Sequence, residues 1–360
     1  MRINQNILRI FSINTQEMYF LPTTIILVAY SFLSLIYTLK NRDLKKKNNV
    51  LINEILIALL FLVAGVLFPF IYRFQSPNLS QDSLNFMWLF TSTIFMVEMG
   101  IWTIMLLYNG RIAKNDPDIM AERDYNKYCE EINKHFVDDL RAEATRKVLH
   151  IFTCFVIFFF WSIGLILDDI GLLPKWGLDN YSFSYWLIIT IGFGFVIMFQ
   201  IGDLTRLNRF YMLPNWSKKW YLGMRQEEQC TFIASTPLVL SFTPFLFMPF
   251  PIFGAVALIT TGADAAACII GKKYGKHSLR KNSNKTIEGF ITGGVSTFLI
   301  VIIITLLYHP WMPVSIQKVF IMASVATLLF LIVDRFARNI SDNILNPLLT
   351  GFGIWIISLL

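Results

Sequence analysis

The 360-residue sequence contains few charged residues, because Asp, Glu, Lys and Arg together make up only 15% of it. Its four cysteines, Cys129, Cys154, Cys230 and Cys268, form no CxxC pair and indicate no disulfide framework. The patterns GxxxxGK[ST], GxGxxG, HExxH and GxSxG are absent as well. The composition excludes a water-soluble enzyme, and zinc, serine-hydrolase and Walker-type chemistry have no sequence signal.

Apolar residues are abundant by contrast: 55% of the chain is hydrophobic, with 33 Phe, 13 Tyr and 9 Trp. This composition excludes a disordered chain and predicts an all-α, polytopic membrane protein, since a spanning helix needs about 20 apolar residues. We expect about ten transmembrane helices, and four prolines make the sixth and seventh the least regular. The predicted spans are residues 19–39, 50–72, 84–108, 150–170, 183–203, 231–250, 251–270, 289–308, 314–333 and 341–360.

The distribution of basic residues predicts the orientation of these helices. The loops after the odd-numbered predicted helices hold 26 of the 31 Lys and Arg residues. Basic loops stay in the cytosol, so we expect these loops to be cytosolic and both termini to be outside or lumenal. The predicted organisation is a three-helix membrane region (1–108), a cytosolic charged helical linker (109–147) and a catalytic membrane domain (148–360).

Acidic residues within predicted spans are costly and therefore informative. Glu98 lies near the middle of the third predicted helix, where a structural hydrogen bond and a functional site are both open interpretations. Asp203, Asp264 and Asp334 all fall at cytosolic helix ends, where converging carboxylates suit a hard cation such as Mg²⁺. Local pairing of Asp203 with Arg206 and of Asp334 with Arg338 is the alternative, because these pairs have helical spacing.

Asp264 is followed by a run of small residues and then by a segment rich in glycine and lysine, Gly271 to Gly275. Small residues permit close helix packing, which is the simpler explanation of the run. We predict a loop over the glycine-lysine segment, and Glu288 opens the next helix after it. Backbone N–H groups, lysines and a helix N-terminus together are typical of a phosphate site. An acid at each edge, Asp264 and Glu288, would hold the cation that bridges those phosphates.

The segment TTGADAAACIIGKKYGKHSLRKNSNKTIEGFITGG resembles the signature of membrane CTP-dependent lipid kinases, a group that includes dolichol kinase, phytol kinase and the CTP-dependent diacylglycerol kinase. Four further segments are similar to motifs of that family and occur in the family order. They are RKVLH at 146–150, GDLTRL around Asp203, MRQEE at 224–228 and SDNILNP at 341–347. The resemblance covers residues 140–360 and leaves the first three helices unmatched. An alanine separates Gly262 from Asp264 where many members have Gly-Asp, and Asp334 stands where glutamate is common.

The resemblance implies a kinase that uses CTP and Mg²⁺, or another divalent cation, to phosphorylate the hydroxyl of a membrane lipid alcohol such as dolichol, another polyprenol, a phytol-like alcohol or diacylglycerol. The sequence by itself indicates only a polyphosphate and cation site at the cytosolic face. The resemblance implies that Asp264 is a catalytic metal ligand, together with Glu288 and Asp342. It implies that the nucleotide phosphates are bound by Lys272, Lys273, Lys285, Thr286 and the backbone from Gly271 to Gly275. Arg146 and Lys147 would bind the transferred group, and His150 or Asp203 would be the base.

Two other functions remain open at this stage. A related cytidylyltransferase would make a CDP-lipid from CTP and release pyrophosphate, although RKVLH favours the kinase. A transporter would also suit buried acids, but it predicts two similar halves, which the sequence does not show. The expected partners are CTP, the lipid alcohol and the bilayer, with no nucleic acid. The endoplasmic reticulum and the plasma membrane are the expected locations.

Overall fold

The computed structural model describes residues 18–135, 140–221, 224, 228–280, 285–337 and 339–360, with the backbone alone at 135, 140–146, 148 and 149. The described part is helical, and its β-type pairing is a single bridge between Ser278 and Thr286. The fold therefore belongs to the predicted all-α class. The α-helices are α1 Leu21–Lys40, α2 Arg42–Lys47, α3 Leu51–Gln75, α4 Gln81–Asn115, α5 Pro117–Glu122, α6 Tyr125–His135, α7 Leu140–Asp169, α8 Leu172–Lys175, α9 Asn180–Arg209, α10 Asn215–Lys218, α11 Ser235–Leu240, α12 Phe250–Leu258, α13 Asp264–Tyr274, α14 Ile287–Leu307, α15 Ile316–Phe336 and α16 Asp342–Leu359.

Eight helical stretches in the described part of the chain are long and apolar enough to cross a membrane. They coincide with eight of the ten predicted spans. Many of their large apolar side chains are exposed, as expected for lipid-facing surfaces, with Ile104 at 71% and Leu107 at 61%. The architecture is that of an all-α membrane protein. The eight stretches are Leu21–Lys40, Leu51–Gln75, Gln81–Asn115, His150–Asp169, Asn180–Met212, Phe250–Tyr274, Ile287–Leu307 and Ile316–Phe336.

Two predicted spans differ in the structure. Residues 231–250 do not form one helix; they contain α11 and a 3₁₀ turn, Thr243–Phe247. Prolines supply no backbone N–H, so Pro237 and Pro244 each remove a helical hydrogen bond from this stretch. The last predicted span is the 18-residue helix α16, which is not among the eight.

The chain divides into two compact units, and the division differs from the predicted boundaries at 108 and 147. Unit 1 comprises Met1–His135 and Phe159–Thr236, and unit 2 comprises Phe136–Phe158 and Pro237–Leu360. In unit 1, α1 packs along α3, and the predicted charged linker contributes α5 and α6. In unit 2, α14 packs against α13 and α15, and α15 packs against α16.

Candidate active site in unit 2

The candidate site is built around an irregular turn in the middle of a spanning segment. A π-helical turn, Ile259–Ala263, joins α12 to α13, and Asp264 is the first residue of α13. The hydroxyls of Thr260 and Thr261 donate to carbonyls one turn earlier, each at 2.8 Å. Single π turns inside helices are frequent at functional sites. The position of the turn therefore makes Asp264, which directly follows it, a candidate functional residue.

Asp264 is paired with a lysine from another helix. The ammonium of Lys147, on α7, donates to Oδ2 of Asp264. Both side chains are mostly buried, with exposed fractions of 12% for the lysine and 16% for the aspartate. This contact brings the RKVLH segment and the ADAAAC segment, 117 residues apart in sequence, to one point of unit 2.

A second lysine and aspartate form a similar pair beside it. The ammonium of Lys285 donates to Oδ1 of Asp334 at 2.6 Å and to the Asp334 carbonyl at 3.1 Å. The lysine side chain is 38% exposed and the carboxylate 13%. The pairing of Asp334 with Arg338 that the spacing allowed lies outside the described residues, and the partner observed for Asp334 is Lys285.

Electrostatics connect the two pairs. Burial lowers the pKa of Lys147, but the charges of Asp264 and Asp342 outweigh burial and leave this pKa above its ordinary value. For Lys285, burial is likewise outweighed by Asp342 and Asp334, with Asp264 adding to the effect, so its pKa is also raised. Both lysines are therefore fully charged at neutral pH. The cluster of Lys147, Lys285, Asp264, Asp334 and Asp342 is hereafter called the lysine-aspartate cluster.

His150 lies one helical turn after Lys147 on α7 and is buried, with 7% of its surface exposed. It is close enough to Asp264 for its charge to act on that carboxylate. The predicted base is thus next to the predicted metal ligand. Arg146 lies in the same helix, but its side chain is outside the described residues.

The donor set is compatible with a divalent cation. No group of three or more His, Cys, Asp or Glu within the described ranges is arranged to hold a metal. Mg²⁺, however, is commonly held by one or two carboxylates together with substrate phosphates and waters. Asp264 and Asp342, which both act on Lys147, supply that number of carboxylates. The oxygen-only chemistry of these ligands fits Mg²⁺ better than a soft metal.

The predicted glycine-lysine loop begins later than expected. Helix α13 continues to Tyr274, so the backbone of Gly271 lies inside a helix and only Gly275 ends it. Gly271 is needed for packing, because an added Cβ would lie 2.9 Å from Oγ1 of Thr286 and 3.4 Å from Cα of Gly289. Close packing of the small residues, the simpler explanation, is therefore confirmed for this part of α13. Thr286 caps α14 by accepting from the Gly289 N–H at 3.2 Å.

Two backbone hydrogen bonds pair the described residues after α13 with those that lead into α14. The N–H of Leu279 donates to the Lys285 carbonyl at 2.8 Å, and the N–H of Ile287 donates to the His277 carbonyl at 2.9 Å. Glu288 is bonded to the His277 ring at 2.7 Å. These bonds hold the backbone of Lys285, whose side chain belongs to the lysine-aspartate cluster. Metal binding by Glu288 stays a prediction.

The two remaining predicted lysines are on the surface. Lys272 and Lys273 are exposed in the last turn of α13, and the Lys273 ammonium lies 5.1 Å from the centre of the Tyr274 ring. Their role at the nucleotide phosphates stays a prediction.

Asp203 belongs to unit 1 and is fully buried there. Its Oδ1 accepts from the Arg206 guanidinium at 2.8 and 3.0 Å, and its Oδ2 accepts from the Ile233 N–H at 2.6 Å. The local pairing with Arg206 is therefore confirmed. Both oxygens of Asp203 are occupied by donors of unit 1 and its side chain has no exposed surface, so His150 is the stronger candidate of the two predicted bases.

Sequence reasoning missed the partners of the acids in unit 2. It predicted no basic partner for Asp264, whereas the structure pairs this residue with Lys147. Only the similarity of RKVLH to a family motif singled out Lys147, because pairing between distant helices leaves no local pattern.

Comparison of the chain with models of protein families, with curated proteins and with solved structures finds no match.

Proposed function

We propose that the protein is a CTP-dependent kinase that transfers the γ-phosphate to the hydroxyl of a membrane lipid alcohol. The observation that carries the proposal is the contact of Lys147 with Asp264 beside the Lys285 and Asp334 pair. Two of the five family-like segments meet in this contact, and Lys285 from the signature segment completes the cluster. Such a combination of cations and carboxylates suits a nucleotide triphosphate with its metal.

The chemistry asks the protein for positioning and charge neutralisation more than for covalent catalysis. Lys147 and Lys285 are charged at neutral pH and supply two cations for the phosphate oxygens. Asp264 and Asp342 are the carboxylates that would hold Mg²⁺. When bound, the metal would neutralise charge on the phosphates, and Lys285 would remain oriented by Asp334.

His150 is the proposed base for the lipid hydroxyl. A buried histidine beside a carboxylate is a suitable proton acceptor, since the carboxylate stabilises the charge that the ring gains. The order of events is then deprotonation of the alcohol oxygen by His150, formation of the new O–P bond and departure of CDP. The proton ends on the imidazole ring.

The proposal includes the topology predicted from the basic loops. The lysine-aspartate cluster would face the cytosol, where CTP is found, and both termini would be outside or lumenal. The count of about ten spans includes α16 and the broken stretch around α11. The bilayer itself would deliver the acceptor, because a lipid alcohol is confined to it.

The test uses the full chain purified in lipid nanodiscs, with CTP labelled at either the α- or the γ-phosphate and a panel of lipid alcohols. The kinase predicts that γ-label moves into lipid. Label from the α-phosphate in lipid, with γ-label in pyrophosphate, would instead establish the cytidylyltransferase. Asp264→Asn is expected to lower γ-transfer at least about 100-fold, the size of a lost charge-stabilising group.

The matched control is Asp169→Asn, the same change at an exposed position on α7. It should leave transfer within about twofold of the original protein. Normal γ-transfer by a correctly folded Asp264→Asn protein would contradict the assignment of Asp264. Absence of label in any lipid from any labelled CTP, with a protein that binds no CTP, would reject the proposed function as a whole.

A further inference from the structure

Three tryptophans of unit 1 form a contact cluster that the proposed kinase function does not use. The rings of Trp216 and Trp220 lie 5.0 Å apart, and Trp102 lies 5.8 Å from the first and 6.0 Å from the second. Trp102 is buried in α4, whereas Trp216 is 47% exposed. The cluster therefore presents one indole ring outward from a packed aromatic base.

Two cations contact the turn that contains Phe210, and Trp220 packs against the buried cluster to which Phe210 belongs. Arg123 donates to the carbonyl of Tyr211 at 3.0 Å, and the ammonium of Lys218 lies 5.2 Å from the Phe210 ring. Phe210 and Tyr211 are consecutive residues of one 3₁₀ turn, Phe210–Met212. The two cations are thus held at the same turn of the chain.

In the described part of unit 1, neither cation forms a direct ion pair. The partners of Arg123 are neutral oxygens, those of Asn109 and Tyr211, and in the described part of unit 1 no carboxylate lies within ion-pair distance of Arg123 or Lys218. Burial, and then the charge of Arg123, lower the pKa of Lys218, an effect that Glu122 and Glu131 only partly oppose. An anion placed between the two cations would relieve their repulsion.

We propose that Trp102, Trp216, Trp220, Arg123, Lys218 and the exposed Lys219, called the Trp216 patch, bind the headgroup of an anionic phospholipid. The indole rings suit the interface between the acyl chains and the headgroups, and the cations suit the phosphate. The exposed Trp216, two residues before Lys218, favours a lipid over a soluble phosphate, because a soluble anion gains nothing from an apolar ring. The inference does not rest on the proposed kinase activity.

The experiment measures quenching of tryptophan fluorescence by brominated lipids in nanodiscs that contain the full chain. One series has increasing brominated phosphatidylglycerol in phosphatidylcholine, and the other has increasing brominated phosphatidylcholine at a fixed fraction of phosphatidylglycerol. The Trp216 signal is the difference between the original protein and Trp216→Phe. We expect this signal to be quenched at a several-fold lower fraction of the anionic lipid than of the neutral one.

The cation variants test the charge part of the proposal. Lys218→Gln should raise the fraction of anionic lipid at half-maximal quenching about fivefold, which corresponds to one cation near an anionic surface. Lys47→Gln removes the same charge from an exposed residue elsewhere in unit 1 and should change that fraction less than about twofold. Arg123→Gln removes the other cation of the same site, so its fraction of anionic lipid at half-maximal quenching tests the proposal independently.

Three outcomes would overturn the inference. Equal quenching by the two brominated lipids would show a nonspecific interfacial contact. An equal effect of Lys47→Gln and Lys218→Gln would show attraction by overall charge instead of a site. A third outcome combines two results: inorganic phosphate protects the Trp216 signal in detergent, and the protein in nanodiscs shows no preference for the anionic lipid. Together they would assign the patch to a soluble anion.

Discussion

Ion pairs in the two units have different surroundings. In unit 1 the pairs Lys45 with Glu54 and Arg206 with Asp203 are completely buried, and every side chain in them is 0% exposed. In unit 2 the pairs Lys147 with Asp264 and Lys285 with Asp334 keep exposed fractions between 12% and 38%. A pair that keeps some exposed surface can exchange its partner for a ligand more readily than a pair that keeps none.

The buried pairs of unit 1 also hold the backbone. Lys45 donates to the Cys230 carbonyl, and Arg206 donates to the carbonyls of Gln229 and Thr231. Two cations from different helices thus fix one short segment. Breaking a buried pair by removing one partner strands the other charge, which costs about 3–5 kcal/mol. The pairs of unit 1 therefore act in the fold, and those of unit 2 are the ones suited to ligand exchange.

The largest expected effect is that of Arg206→Met. It leaves Asp203 buried and the Gln229 and Thr231 carbonyls without their donor, so we expect a loss of about 3–5 kcal/mol and failure to survive detergent extraction. Size-exclusion chromatography monitored by fluorescence after heating measures the loss. Arg209→Met, an exposed arginine one turn later, is the control and should behave as the original protein.

The matched change in unit 2 makes the comparison decisive. Lys147→Met removes a cation from a mostly buried pair whose side chains keep 12% and 16% of their surface exposed, whereas the Arg206 pair keeps none, so extraction and thermal stability should change less than in Arg206→Met. Binding of CTP should fall about 10-fold or more, as expected for a charge-assisted phosphate contact. An equal loss of stability in the two variants would erase the distinction between the units.

The next largest expected effect is a loss of stability from disturbing the close packing of α13 and α14 in unit 2. A Cβ at Gly289 would lie 2.6 Å from the Ala267 carbonyl and 3.1 Å from Cα of Gly271, so α13 and α14 would have to separate. We expect Gly289→Ala to cost about 1–3 kcal/mol. The loss is read from the midpoint of thermal aggregation. Gly100→Ala is the control, because nothing lies within 4 Å of its added Cβ.

The sequence sufficed for features that depend on local pattern. Eight of the spans follow from apolar runs of sufficient length, and α5 and α6 fall in the segment predicted to be a charged helical linker. The Asp203 and Arg206 pair was foreseen as one of two alternatives, since its members are three residues apart. Each of these features is contained in a short window of the chain.

The features that could not be predicted depend on distant parts of the chain. Lys147 pairs with Asp264 across 117 residues, and Lys285 pairs with Asp334 across 49. Gly271 was expected in a loop because it precedes two lysines, but its role is set by its contacts with Thr286 and Gly289. Sequence spacing does not encode such contacts unless a related motif is already known.

The smallest expected effect is a pH dependence that differs between the original protein and its cluster variants. The pKa values of Lys147 and Lys285 are raised in the folded state by neighbouring carboxylates. A raised lysine pKa stabilises the fold fully below the unfolded value, about 10.4, and this contribution is lost as the pH rises through the folded value. Thermal stability from this source should therefore be flat from about pH 7 to 9 and fall above about 10.4.

Lys147→Met distinguishes the loss of thermal stability caused by deprotonation of Lys147 from the loss caused by other lysines, because methionine at this position has no proton to lose. Its fall in thermal stability above about pH 10.4 should be shallower than that of the original protein, measured in the same detergent and salt. Lys318→Met, which changes a lysine of unit 2 whose ammonium donates to the Ser358 carbonyl, should retain the original slope. Identical alkaline slopes in all three proteins would mean that the carboxylates do not hold the Lys147 charge, and the exposed pairs of unit 2 would then lack the electrostatic coupling that sets them apart from unit 1.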